Sequence, residues 1–253
     1  MMSSRFRNKR RSYTRKPART YNRRKIFKNT RTRKMRGGTS LENLMTAIDW
    51  YNIDNVKKIL TGKMKTMLGY NIPPPDINGI ENDMTPLIKA LTKNPFNKDK
   101  QKNNIIKQII NLLIESGADV NKRATEESID GTTPLMMAII SNYDSEIINL
   151  LIEKGADVNA KNENDDTPLI IAIKVERRVD IIELLIEKGA DVNAKNNDSV
   201  TPLLLAIENK KYSSVIELLI KNGANIDNLN EKQKRRLEEA SEEGDEEMVA
   251  VQL

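Results

Sequence analysis

LLIEKGADVNAKN, residues 150–162, stands again unchanged at 184–196, a shift of 34 positions. Between the copies lie TPLIIAI (Thr167–Ile173) and IIELLI (Ile181–Ile186). A fixed period of this size means repeated supersecondary units, each too small to bury its own apolar face. The period runs outward from here. Thr-Pro-Leu begins at Thr85, Thr133, Thr167 and Thr201, and Gly-Ala at Gly117, Gly155, Gly189 and Gly223.

The residues dictate the unit. Thr before Pro accepts N–H bonds as a helix N-cap, and Pro at the first helical position lacks only an N–H that would be orphaned anyway. Leu135 and Ala138, with their equivalents, then point the same way off a short helix. Ile147, Ile148, Leu150 and Leu151 give a second helix its apolar face. Gly155 closes it, since glycine takes the left-handed conformation without a Cβ penalty. The polar run Asp157–Asp166 must be a surface turn or hairpin. Each unit reads helix, turn, helix, hairpin.

The motifs TPLIKA, TPLMMA, TPLIIA and TPLLLA resemble the ankyrin-repeat signature Thr-Pro-Leu-His-x-Ala. The family's His is Ile, Met, Ile or Leu here, and its usual inter-helix Gly is Asn142, Glu176 or Lys210. The resemblance implies an all-α repeat solenoid of helix-turn-helix units joined by β-hairpin-like loops. A Leu-x-x-Ala pair at Leu44/Ala47, Leu87/Ala90, Leu135/Ala138, Leu169/Ala172, Leu203/Ala206 and Leu237/Ala240 predicts about six stacked units. The expected boundaries are a degenerate N-cap at 39–77, then 78–122, 123–160, 161–194, 195–227 and a polar C-cap at 228–253.

Two segments break the period. The connection Thr61–Ile80 carries Pro73-Pro74-Pro75, which excludes regular helix and central strand. Between Leu91 and Ile105 the run TKNPFNKDKQKNN reads as an inserted loop, with Phe96 its one aromatic residue.

Charge divides the chain. Residues 1–38 hold 16 Lys or Arg and no acid, while the remainder carries a net −10, so the overall +6 hides two segments of opposite sign. The first segment lacks periodicity and repels itself, which predicts a disordered basic tail. It has no apolar core of a secretory signal, and Pro17 with the dense charge suits a mitochondrial presequence poorly. Lys9-Arg10-Arg11, Arg23-Arg24-Lys25 and Arg33-Lys34 with Arg36 are candidate address or polyanion-binding residues. Tyr13, Tyr21 and Phe27 among them suit base stacking. A solvated tail with no fixed partner is the plain alternative. The tail ends in Arg36-Gly37-Gly38, a flexible joint, and it is similar to basic tails on proteins of large DNA viruses, where a double Gly can be a processing site.

With no His and no Cys, the usual general base, metal ligand and thiol nucleophile are absent. No GxxxxGK[ST] loop occurs. The expectation is a non-enzyme with no cofactor and no metal. Nor does any apolar run approach the ~18 residues of a membrane helix. The reading is an intracellular, monomeric protein of nucleus or cytoplasm. Asn supplies about one residue in nine, which we read as a bias of the genome.

What remains is surface. The ankyrin resemblance implies partner contacts on the concave side, at hairpin tips and along the first-helix edge. Carried over by position, the tips are Glu81 and Asn82, Ile129 and Asp130, Glu163 and Asn164, and Asn197 and Asp198. Beside them stand Met84, Thr132, Asp166 and Val200, with Lys174 and Glu208 on the helix edge. Asn and Asp also suit turns for backbone reasons alone. The resulting expectation is a protein-interaction scaffold for a basic or mixed partner. The alternative is weak DNA or RNA binding through the tail, with the repeats as adaptor.

Overall fold

The computed structural model of the chain describes residues 40–65, 71, 73–93, 99–125, 131–209, 213–227 and 229–242, the side chains of 240–242 excepted. All belong to one unit, Gly37–Leu253. The basic tail, with its candidate residues from Lys9 to Arg36, lies outside the described residues, as do Phe96, Ile129 and Asp130.

The helices follow in pairs: α1 (Ser40–Asp49) and α2 (Ile53–Leu60), α3 (Pro86–Leu91) and α4 (Lys100–Glu115), α5 (Pro134–Ile140) and α6 (Ser145–Glu153), α7 (Pro168–Lys174) and α8 (Val179–Glu187), α9 (Pro202–Glu208) and α10 (Ser213–Lys221), then α11 (Glu231–Glu242). Among the described residues there is no strand, only two isolated antiparallel bridges. The all-α repeat solenoid is the architecture the period implies.

Local chemistry sets each start and stop. The hydroxyls of Thr85, Thr133, Thr167 and Thr201 accept the N–H groups of Ile88, Met136, Ile170 and Leu204 at 3.2–3.3 Å, each with Pro at the helix start. At the far end of α6, Gly155 has φ +90, and the N–H groups of Gly155 and Ala156 return to the carbonyls of Ile152 and Leu151. That double bond satisfies carbonyls the helix leaves orphaned.

Packing runs along the stack. The first helices α1, α3, α5, α7 and α9 form one layer, each against the next, and each also contacts its own second helix. One apolar cluster runs from Leu44 to Leu237 through the whole stack. The Leu-x-x-Ala pairs lie inside it: Leu44, Ala47, Ala90, Leu135, Ala138, Leu169, Ala172 and Ala206 are fully buried. Small alanines let neighbouring helices approach, so each unit completes its core only against the next.

The insertion differs from its reading as a loop. Residues 100–104 extend α4, which reaches 16 residues against nine for α6, α8 and α10. Asp99 makes this possible by capping the N–H groups of Gln101 and Lys102 at 3.1 and 3.2 Å. Across the outer layer, Lys107 of α4 bonds Asp144 and Glu146 at 2.6 and 2.9 Å. Burial lowers the pKa of this ammonium, but the two carboxylates more than offset that and hold it above its ordinary range.

Candidate functional site

The hairpin tips are built in two ways. In the second unit, Glu81 and Met84 exchange backbone hydrogen bonds of 3.0 and 3.3 Å around Asn82 and Asp83, whose φ angles are +50 and +63. Two successive left-handed residues make the tight hairpin turn that matches strand twist, and Asn and Asp tolerate it. In the fourth and fifth units the backbone also closes the tip, Asn162 N–H to the Asp166 carbonyl and Asn196 N–H to the Val200 carbonyl at 3.2 and 3.3 Å, and a buried asparagine side chain reinforces it. Asn162 Oδ1 accepts the N–H groups of Asn164 and Asp166, and Asn196 Oδ1 those of Asp198 and Val200, at 2.9–3.1 Å.

Successive tips are tied together. Thr125 N–H donates to the Asp83 carbonyl at 3.0 Å, and its hydroxyl bonds Asp83 Oδ1. Arg123 donates to the Lys161 carbonyl at 2.7 Å. Asn197 donates from its backbone to the Asn164 carbonyl and from its side chain to the Glu163 carbonyl, at 3.0 and 2.9 Å. Gly131 is required at the crossing between the third and fourth units. Its φ is +70, and a Cβ there would stand 2.9 Å from the Glu163 nitrogen. Among the described residues, the tips and the flanks of the third unit's hairpin are linked from Asp83 to Asn197 as a ribbon.

Position by position, the candidate residues separate. Asn82, Glu163, Asn164, Asn197, Asp198 and Glu208 are exposed, and Glu81, Met84 and Val200 are half-buried. Asp166 and Thr132 differ from the water-open tips expected of them, because both are buried. Asp166 is committed within the fold. Both its oxygens take the Lys174 ammonium at 2.6 Å, and Oδ1 also accepts from Asn196 Nδ2 at 2.8 Å. So Lys174 and Asp166 join the fourth unit's tip to its own first helix, and Asn196 joins the fifth unit to both. Thr132 Oγ1 and Glu81 Oε2 are buried oxygens without a hydrogen-bond partner. Burial first, and the neighbouring Glu42 charge second, raise the Glu81 pKa above its ordinary 4.5, while Lys89 opposes them.

Two series of polar side chains escape a reading of the sequence alone. The first is a ladder behind the tips. Asn121, Asn159 and Asn193 donate from Nδ2 to the carbonyl of Gly155, Gly189 or Gly223 in the next unit, and Asn78, at the head of the second unit, donates likewise to Gly117 near that unit's end. Each also accepts the N–H two residues past that glycine, from Asp119, Asp157, Asp191 or Asn225, at 2.7–2.8 Å. The abundance of asparagine is therefore partly structural. The second series lies at the opposite end of the helices. Tyr143 donates to the Lys93 carbonyl at 2.6 Å, and Arg177 to the carbonyls of Ile139 and Ile140 at 2.8 and 3.0 Å. Each pins the C-terminus of the preceding unit's first helix, where orphan carbonyls need donors. Burial, with smaller contributions from Tyr51 and Asp144, pushes the Tyr143 phenol far above its ordinary range.

One apolar side chain breaks the pattern. Trp50, the chain's single tryptophan, sits just past α1 with 63% of its surface exposed. Neighbouring Tyr51 has φ +54, and its ring has the ammonium groups of Lys93 and Lys102 each 6.0 Å from its centre.

No group of three or more acidic residues able to hold a metal occurs among the described residues. Nor is any described helix long and apolar enough to cross a membrane. Comparison with known families gives two matches. Ankyrin repeats (3 copies) match residues 44–162 and, overlapping them, 100–196, and a further ankyrin repeat matches residues 198–231. The chain belongs to the ankyrin-repeat family. Repeats of this kind are generally protein-interaction modules and typically non-catalytic. No curated protein matches the chain.

Proposed function

We propose that this protein is a non-catalytic scaffold that binds a protein partner across its hairpin tips and first-helix edge. The observation that carries the reading is the ribbon itself: backbone and side-chain bonds fix each described tip to the next. A surface already ordered loses little entropy on binding, which favours recognition. It presents carboxylates at Asp83, Glu163, Asp165 and Asp198, so a partner with basic groups is the complementary one. Asn82, Asn164 and Asn197 add exposed amides that suit hydrogen bonding.

The test compares faces. The full chain, a Glu163→Lys/Asp198→Lys variant and an outer-helix Glu183→Lys/Glu187→Lys variant would each be used to capture partners from cells, with bound proteins quantified. Loss on the tip variant with retention on the outer-helix variant is the expected outcome. Equal capture by all three would remove the tips from the function.

A second reading rests on a separate observation, the 16 basic and no acidic residues in 1–38. It assigns polyanion binding to the tail, through residues such as Lys9, Arg10, Arg11, Arg23, Arg24 and Lys25. Affinity for duplex DNA and single-stranded RNA across a salt series tests it. Binding that persists at about 0.15 M salt, with a slope of about −0.9 per phosphate on duplex DNA, supports a working grip. Its disappearance by that salt leaves the tail as an address.

A further inference from the structure

Trp50 is the largest exposed apolar side chain described, ahead of Ile80 at 42% and Val179 at 37%. Its position is fixed. The N–H groups of Trp50, Tyr51 and Asn52 return to the carbonyls of Thr46, Ile48 and Ala47 at 2.9–3.1 Å, and Asn52 then caps α2 through the Asn55 N–H. Tyr51 accepts a left-handed backbone that a bulky residue rarely adopts. Half-buried Tyr51 carries the two lysines over its ring while the indole beside it faces water.

The charges around this turn do not cancel. Lys89 and Lys93 share one carboxylate, Asp49. Lys102 faces Asp99 at 3.6 Å, but Asp99 is also committed to two N–H groups of α4. Three ammonium groups thus stand against two carboxylates, with exposed Lys100 adjoining. This local excess is opposite in sign to the tip ribbon.

We infer that the Trp50 turn is a docking point for an acidic protein segment that brings an aromatic or aliphatic side chain onto the indole. The inference rests on the scaffold reading above and adds a second charge zone to it, so the partner carries basic groups for the tips and an acidic, partly apolar stretch for this turn. The indole supplies area that is costly to leave wet, while Lys93 and Lys102 select carboxylates. A base-stacking strand is the competing occupant of an exposed tryptophan among lysines. It is disfavoured because single strands stack successive bases on several rings, whereas among the described residues of this turn Tyr51 is half-buried under the two lysines and Tyr143 is buried, which leaves the indole as one platform.

Because Trp50 is the only tryptophan, its emission reports this turn alone, even when the tail holds the same ligand. The full chain would be titrated at about 0.15 M salt with poly(Glu,Tyr), with poly(Glu) and with oligo(dT). Poly(Glu,Tyr) is expected to move the emission to shorter wavelength in a saturable way. Lys102→Glu should weaken that response about fivefold or more, and poly(Glu), lacking the ring, should leave the emission in place. An unmoved emission with poly(Glu,Tyr), an undiminished response in Lys102→Glu, or a shift with oligo(dT) alone overturns the inference. Labelled poly(Lys,Tyr), followed by anisotropy, reads the tips separately. Binding that is lost in Glu163→Lys/Asp198→Lys while Trp50 stays silent sinks only this inference, and silence at both zones sinks the scaffold reading with it.

Discussion

In the fourth and fifth units the buried polar side chains described all have partners within the fold, whereas the first two units leave one large apolar side chain in water and one buried oxygen unpartnered. In the first region Asp166, Lys174, Asn162 and Asn196 close a network across two units, and tip binds tip through Asn197. In the second, Trp50 faces water and one oxygen of Glu81 is buried without a partner. Both regions share the Leu-x-x-Ala core. The lesson is that the regular units offer a partner only their tips, whereas the irregular ones expose an apolar side chain as well.

The comparison breaks most sharply where the regular region begins. Gly131→Ala forces a Cβ against the Glu163 backbone in a left-handed conformation, and should cost about 2–4 kcal/mol in urea unfolding. A cost below about 0.5 kcal/mol would mean that the crossing of tips is not rigid. Next comes Tyr143→Phe, which leaves the Lys93 carbonyl short of its donor and should lose about 1–2 kcal/mol with the ring packing kept.

A smaller effect belongs to the ladder. Asn159→Asp keeps the acceptor for the Asp191 N–H but removes the donor to the Gly189 carbonyl, for about 1 kcal/mol. Asn78→Asp, whose donor bond is longer at 3.3 Å, should cost less in the same assay. Equal losses would erase the distinction between the ladder's middle and its start.

The smallest effect is one of pH. Because Glu81 has a folded pKa raised above 4.5, the folded state binds its proton more readily than the unfolded chain does just above that value. Its contribution therefore grows as pH falls through that window and is absent well above it. Glu81→Gln should flatten this part of the stability profile relative to the parent. An unchanged profile would show that Glu81 titrates as if in water.

The repeat itself was open to reading because Thr-Pro and Gly-Ala act locally. A cap and a left-handed stop work wherever they stand, so their period reveals the helices. The ladder was harder, since Asn78, Asn121, Asn159 and Asn193 bond to residues far along the chain, although Asp-x-Asn does recur before each tip. Tyr143 and Arg177 share a task but no chemistry beyond a reachable donor, so neither residue type betrays it. Asp165 and Asp166 are adjacent and identical, yet one is half-exposed and the other buried; only the turn around Asn162 decides which. The Trp50 turn lies one residue past a helix whose repeat is degenerate, so the family pattern gave no position to carry over.

The asparagine ladder also has a direction, and at its last step the order of residues is reversed. Asn225 stands where the other units have Asp, and Asp227 where they have the bridging Asn. A carboxylate can receive an N–H from a following module but has no amide hydrogen to send to its glycine carbonyl. The array is thus open to growth in its interior, where a duplicated 161–194 segment would find a matching connector on both sides. Past Asp227 a unit stacks by packing alone, as α11 does on α9 and α10, and lacks that donor bond until Asp227 is exchanged for asparagine.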